Sequence, residues 1–216
     1  MSLIVLEGLD GSGKSTQLPL LEEALARRGP VRTISFPDYD SPSSALVKMY
    51  LSGEFGGAPE DVNPYAAGAF YAVDRYASYQ KFWRRDYEAG VTILAARYAT
   101  SNLIYQMEKL PFGQWEEYMA WTEAFEYDRL GLPRPDRVIF LDMPVEASQK
   151  LLEKRYQGEA GRKDLHERDA AFLESCARCA RFAAKTLGWT VIPCAEKGAP
   201  LSVEEVHRRV LEALFL

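Results

Sequence analysis

The stretch Gly8-Leu9-Asp10-Gly11-Ser12-Gly13-Lys14-Ser15-Thr16 decides the fold of this 216-residue chain. It satisfies G-x-x-x-x-G-K-[ST], a loop whose backbone N–H groups cradle phosphate oxygens. It also stands where such a loop must stand, after the apolar run Leu3-Ile4-Val5-Leu6 and ahead of a segment with helical periodicity. Glycines at 8, 11 and 13 permit a tight turn close to phosphate, and the helix N-terminus that follows adds a partial positive charge. Lys14 is placed to reach the β- and γ-phosphates and Ser15 to hold Mg²⁺, while Gly8, Gly11, Ser12, Gly13 and Thr16 complete the cradle. A nucleoside triphosphate site follows.

Outward from this loop, short β-rich runs recur at Leu3 to Leu6, Val31 to Phe36, Val91 to Leu94, Val138 to Asp142 and Thr190 to Pro193, separated by longer helical patterns. The first helix is expected from Lys14 to Arg28, with Leu18, Leu21 and Leu25 on one side and Gly29-Pro30 as a stop. Strands that are apolar throughout, such as Leu3 to Leu6 and Val138 to Leu141, belong to a parallel sheet covered on both faces. The expected fold is α/β: a three-layer P-loop NTPase sandwich with a central parallel sheet of about five strands flanked by helices. Its ligands gather at the carboxyl ends of the strands.

Composition narrows the partners. A net charge of −5 argues against a nucleic-acid-binding surface, and no apolar run approaches the roughly 18 residues of a membrane span. Met1-Ser2-Leu3 leads straight into the first strand, so the expectation is one cytoplasmic domain without a signal peptide. Cys176 and Cys179 form a C-x-x-C within a helical pattern, and with only His166 and His207 available the pair reads as helix packing, not as a metal or redox site.

Tyr71 and Arg75, four apart in the helix around Asn63 to Arg85, share a face. A ring and a guanidinium together suit a planar base, and a buried aromatic beside a surface arginine accounts for them equally well. Arg97 follows the third strand, beside the phosphate loop, where a cation neutralises a transferring phosphoryl group. Ser101 and Tyr105 share a face of the next helix. Lys154, Arg155, Arg162 and Lys163 cluster around Gly158 and Gly161, read either as solvated surface or as a hinged lid at about 154–167.

A phosphate loop alone is shared by many classes. Here Glu7-Gly8-Leu9-Asp10 and Gly13 to Gln17 are followed by Phe36-Pro37, Asp74-Arg75, Arg97-Tyr98 with Ser101 and Gln106, and Leu132-Pro133-Arg134-Pro135-Asp136. In that order and spacing the chain resembles the thymidylate kinase family over essentially its whole length. The resemblance implies ATP as phosphate donor with Mg²⁺, dTMP as acceptor, and a homodimer. It implies dTMP contacts from Asp10 (to the deoxyribose), Phe36, Pro37, Tyr39, Phe70 or Tyr71 (stacking on thymine), Arg75 (at O4), Arg97 (at the phosphate), Ser101, Gln106, and Tyr105 (against C2′). Arg155 and Arg162 become candidate catalytic arginines of a lid, because Gly11, not an arginine, follows Asp10.

Three departures matter. Asp74-Arg75-Tyr76 spells the family's catalytic D-R-Y but falls mid-helix, so the signature belongs at Ala96-Arg97-Tyr98. There the metal-organising Asp is an alanine, a loss on the order of 2–4 kcal/mol in the barrier, or roughly 10²–10³-fold in rate. Ala96 marks either an engineered substitution or a weakened paralogue, with binding retained and turnover impaired. Tyr39 stands where many members carry arginine. Alternatives are a non-catalytic nucleotide-binding protein and a deoxynucleoside kinase using Asp38 as base.

Overall fold

The computed structural model describes residues 2–156 and 170–215, apart from the side chains of 152–156 and 170. Strand β1 (Ser2–Gly8) is the middle of a five-stranded sheet, with β2 (Val31–Ser35), β3 (Thr92–Ala96), β4 (Arg137–Asp142) and β5 (Thr190–Pro193) in the spatial order β2-β3-β1-β4-β5. Every pairing in this sheet is parallel. All five expected strands are present, and the sandwich read from the sequence is the one observed.

The apolar run of β1 explains its central place. Successive strand side chains point to opposite faces, so Ile4 and Leu6 enter a core with Leu21, Leu25, Ile139, Leu141, Val206 and Val210. Leu3 and Val5 enter another with Ile93, Ala95, Trp83 and Tyr98. The first core is closed by α1 (Lys14–Ala26), which stops two residues short of the expected Arg28. After β2 come α2 (Ala45–Leu51) and α3 (Pro64–Ser78), which passes through a π-helical stretch, Tyr79–Trp83, into α4 (Arg84–Glu88). A short α5 (Asn102–Tyr105) follows β3, then α6 (Trp115–Glu123) with a second π-helical stretch, Ala124–Arg129. Helices α7 (Val145–Tyr156), α8 (Ala170–Leu187) and α9 (Val203–Phe215) complete the layers, with a small antiparallel pair, β6 (Ala195–Glu196) and β7 (Ala199–Pro200), ahead of α9.

The register sets up the site. Leu6 of β1 lies opposite Ala96 of β3, and Gly8 lies opposite Leu141 of β4. The phosphate loop and the loop that begins at Arg97 therefore leave the sheet side by side at its carboxyl edge. Cys176 and Cys179 are free thiols fully buried in the α5–α8 packing, in keeping with the packing reading. Among the described residues no helix is long and apolar enough to cross a membrane.

Candidate active site

Gly8 permits the closest approach in the phosphate loop. A Cβ there would lie 2.4 Å from Ser12 Oγ and 3.1 Å from the Leu141 carbonyl oxygen, so a side chain would push the loop off β4. Gly13, at φ 93°, caps α1 in the left-handed region that glycine alone enters without cost, and its carbonyl accepts from the N–H of Thr16 and Gln17. Lys14 Nζ donates to the carbonyls of Gly8 (2.6 Å) and Leu9 (2.8 Å), which holds its charge across the loop. Ser15 is exposed at the first turn of α1.

Arg97 has φ 66°, a conformation that costs an L-residue roughly 1–2 kcal/mol. Two flanking bonds hold it. Its own N–H donates to Leu6 O at 3.2 Å, and the next N–H, of Tyr98, donates to Glu7 Oε1 at 3.2 Å. Glu7, fully buried at the end of β1, also accepts from Thr100 Oγ1 (2.6 Å) and from Ser101 Oγ through both its oxygens (2.9 and 3.0 Å). One buried carboxylate thus fixes the whole loop after β3. Ser101, expected near the base or phosphate, spends its hydroxyl proton on this anchor.

With its backbone held, Arg97 ion-pairs through Nη2 with Asp10 Oδ1 and donates to Tyr105 Oη at 3.2 Å, and Tyr105 Oη donates to Asp10 Oδ2 at 3.0 Å. The Tyr105 ring lies 5.0 Å from the guanidinium carbon, so one ring both hydrogen-bonds and faces the cation. Burial works against the Arg97 charge, but Asp10, Tyr105 and Glu7 together hold its pKa well above the ordinary arginine value. Burial also pushes the Tyr105 phenol well up, with Asp10 adding to the shift and Arg97 opposing it. The guanidinium is permanently charged, and Tyr105 keeps its proton as a donor.

In α3, Arg75 is 1% exposed, so the surface-arginine reading of Tyr71 and Arg75 fails. Its Nε donates to Glu126 Oε2 at 2.7 Å and its Nη2 to Glu126 Oε1, a bidentate pair in which the carboxylate is fully buried. Burial lowers the Arg75 pKa, and Glu126 more than offsets that, leaving it raised. Asn102 Nδ2 donates to the same Oε1 at 2.9 Å and to Gly68 O at 3.3 Å. The Tyr71 ring meets Tyr50 edge-on at 6.3 Å, and Phe70 packs on Phe55 at 5.5 Å. Both Gln106 amide atoms are buried without a partner among the described residues. Such an amide costs roughly 1–3 kcal/mol unless a ligand or water meets it.

The mid-helix Asp74-Arg75-Tyr76 has its own explanation. Asp74 accepts from Asp38 N–H (2.8 Å) and Ser43 Oγ (2.6 Å), and so ties the loop after β2 to α3. Burial raises its pKa, against the lowering effect of those two hydrogen bonds. Phe36 is buried at the head of that loop, the Phe36–Pro37 bond is cis, and Tyr39 is 50% exposed. Ala96 is 8% exposed, at the strand end between Leu6 and Ser35. The Arg155 side chain and all of Arg162 lie outside the described residues. Glu7, Asn102 and Glu126 were not given roles from sequence; Glu7 stood in the Glu7-Gly8-Leu9-Asp10 landmark, and Glu126 was a lone acid between Phe125 and Tyr127.

An ion pair that runs from the end of β3 into a phosphate loop, on a five-stranded parallel P-loop sandwich, points to the P-loop phosphotransferases. A family model for thymidylate kinase matches residues 6–210. Thymidylate kinase of Mycobacterium tuberculosis is 32% identical over 198 residues, covering 88% of this chain and 90% of that one. Thymidylate kinase of Homo sapiens is 29% identical over 214 residues, covering 97% and 87%. A solved structure of thymidylate kinase from Candida albicans shares the fold, with a TM-score of 0.71 at 22% identity over 99% of this chain and 90% of that one. The chain belongs to the thymidylate kinase family and is a nucleoside monophosphate kinase.

Proposed function

We propose that this chain transfers the γ-phosphoryl group of ATP to dTMP, giving dTDP and ADP for dTTP synthesis, with turnover lowered by Ala96. One observation carries the reading: Asp10, inside the phosphate loop, and Arg97, from the end of β3, form one ion pair closed by Tyr105. Donor and acceptor sites then share a wall. On this reading the loop cradles the ATP phosphates and Lys14 leaves its carbonyl partners for them. Arg97 holds the acceptor phosphate, Asp10 the sugar hydroxyl, Tyr71 the face of thymine and Arg75 its O4. Positioning and charge do the catalytic work, since phosphoryl transfer needs little covalent help.

The residues present fit Mg²⁺. The Ser15 hydroxyl is exposed beside Lys14, and among the described residues no three His, Cys, Asp or Glu side chains gather into a metal-holding group. That is the sparse protein donor set of an ion held chiefly by substrate phosphates and water. Bound there, Mg²⁺ would neutralise charge on the β- and γ-phosphates. The proposal includes a single domain with a lid at about 154–167, catalytic arginines drawn from Arg155 and Arg162, and work in the cytoplasm. It also includes a homodimer through the α3 face that exposes Val73 and Tyr76, at 49% and 39%, with Phe82 beyond it at 41%. Sedimentation of Val73→Glu as a monomer would support that interface.

A coupled ADP-release assay with dTMP, dUMP and thymidine tests the reaction. Turnover with thymidine and none with dTMP would make it a deoxynucleoside kinase. Binding of dTMP with no ADP released at high enzyme concentration would make it a non-catalytic binder.

A further inference from the structure

We propose that Glu126 is the positioning residue through which this site tells a 4-keto pyrimidine from a 4-amino one; this rests on reading the acceptor as dTMP. Its carboxylate is fully buried and accepts three hydrogen bonds, two from Arg75 and one from Asn102. Each bond fixes what is left over. Arg75 spends Nε and Nη2 on the carboxylate, and Asn102 spends Nδ2 on it and on Gly68 O, which sets the amide orientation without ambiguity.

Among the described residues, Nη1 of Arg75 and Oδ1 of Asn102 therefore remain without a hydrogen-bond partner. Nη2 and Nδ2 meet on the same oxygen, Oε1, so the two residues stand side by side. The pair offers a donor beside an acceptor. Thymine presents the complement, a carbonyl at position 4 beside an N–H at position 3. Cytosine presents the reverse, an amino group against the Arg75 donor and a lone pair against the Asn102 acceptor. A site with buried polar groups left unpaired by the wrong base rejects it strongly. Without Glu126 the guanidinium and the amide are both free to turn, and the amide can offer either end.

The test compares wild type with Glu126→Gln and Glu126→Asp in the full chain, using dTMP, dCMP and 2-deoxyribose 5-phosphate. For both variants the dTMP KM is expected to rise roughly 10- to 100-fold with a much smaller change in kcat, and the dTMP-to-dCMP ratio of kcat/KM to fall by a similar factor. Binding of 2-deoxyribose 5-phosphate, which carries no base, is expected to hold, as is ATP binding. Equal weakening of dTMP and the baseless sugar would show a merely structural role and overturn the proposal, as would variants that keep the wild-type preference. Asn102→Ala leaves the ion pair standing, so it covers the case where the Glu126 variants do not fold. It must lower the same ratio about tenfold, and an unchanged ratio refutes the assignment. A wild type that does not phosphorylate dTMP, or does not prefer it to dCMP, would instead refute the dTMP reading itself.

Discussion

Placing a carboxylate at position 96 is the sharpest perturbation of this chain. Ala96 closes β3, lies opposite Leu6 and Ser35, and is 8% exposed. An Asp there stands next to Arg97 in sequence and one register step from Glu7. A charge that organises the metal at a transferring phosphoryl group carries on the order of 2–4 kcal/mol, so with Mg²⁺ bound kcat with dTMP in Ala96→Asp should rise about 10²–10³-fold. The same substitution places a third acid beside Glu7 and Asp10 with Arg97 as the nearby cation. Burying it costs stability, about 1–3 kcal/mol in the absence of Mg²⁺ and nucleotide. Rate and stability therefore move in opposite directions, which separates the effect from a general improvement in folding.

Steady-state kinetics at saturating ATP and Mg²⁺, paired with thermal unfolding with and without nucleotide, measures both. Ala96→Asn is the control, since it has nearly the same volume and can hydrogen-bond but brings no charge. It should leave kcat within a few-fold of the parent. An Asp variant with unchanged kcat would refute the reasoning, and so would Asp and Asn variants that gain equally, because steric filling would then explain the gain.

Three further outcomes follow from the geometry. Tyr105→Phe removes the hydroxyl shared by Asp10 and Arg97 but keeps the ring, so selectivity for deoxyribose over ribose should survive. Tyr105→Ala should relax that selectivity by about 10²-fold in kcat/KM for dTMP against its ribose counterpart. Glu7→Gln presents an NH₂ to a set of donors, from Tyr98, Thr100 and Ser101, and leaves at least one of them unpaired. A loss of about 1–3 kcal/mol in urea unfolding is expected, along with lower kcat as Arg97 loses its support. Lys109 is held against the Tyr50 hydroxyl (2.9 Å) and the Val62 carbonyl (3.1 Å), and burial lowers its pKa to about 8 against the partial opposition of Glu108 and Glu60. The unfolded chain then binds more protons between about pH 8 and the ordinary lysine value, so this group adds stability as pH rises through that window. The stability of wild type relative to Lys109→Met should therefore increase by at most about 3 kcal/mol from pH 7.5 to 10.5 in paired urea titrations, and a flat difference would count against it.

What the sequence showed and what it hid divide along one physical line. The phosphate loop, the five strands and the gap at Ala96 are local: contiguous motifs, apolar runs and a one-residue departure from a pattern. The Arg75–Glu126 pair joins positions 51 apart, and the Glu7 anchor joins β1 to residues 91 to 94 positions on. Arg75 and Glu7 carry a signal of their own, but nothing local to either of them names its partners. Arg75 looked equally at home on a surface, and only packing of the π-helical stretch Ala124–Arg129 against α3 and α5 shows why a charge is buried there. Tyr79–Trp83 hid for a related reason, since one π-helical stretch shifts the face of a helix without interrupting its apolar periodicity.

Among the described residues, the acids around the carboxyl edge of the sheet already have partners. Glu7 is committed to the loop after β3, Asp10 to Arg97 and Tyr105, Asp74 to the loop after β2, Glu126 to Arg75 and Asn102, and Asp142 to Arg181. Each orients a cation, a ring or a loop that the proposed reaction uses or that frames it. Diverting Glu126 toward a metal would release Arg75, and removing one member of such a fully buried pair costs about 3–5 kcal/mol. That is of the same size as the roughly 2–4 kcal/mol that a metal-organising charge returns. A new acid at position 96 takes no resident carboxylate from its partner, and that position lies opposite Leu6, at the edge where β1 gives way to the phosphate loop.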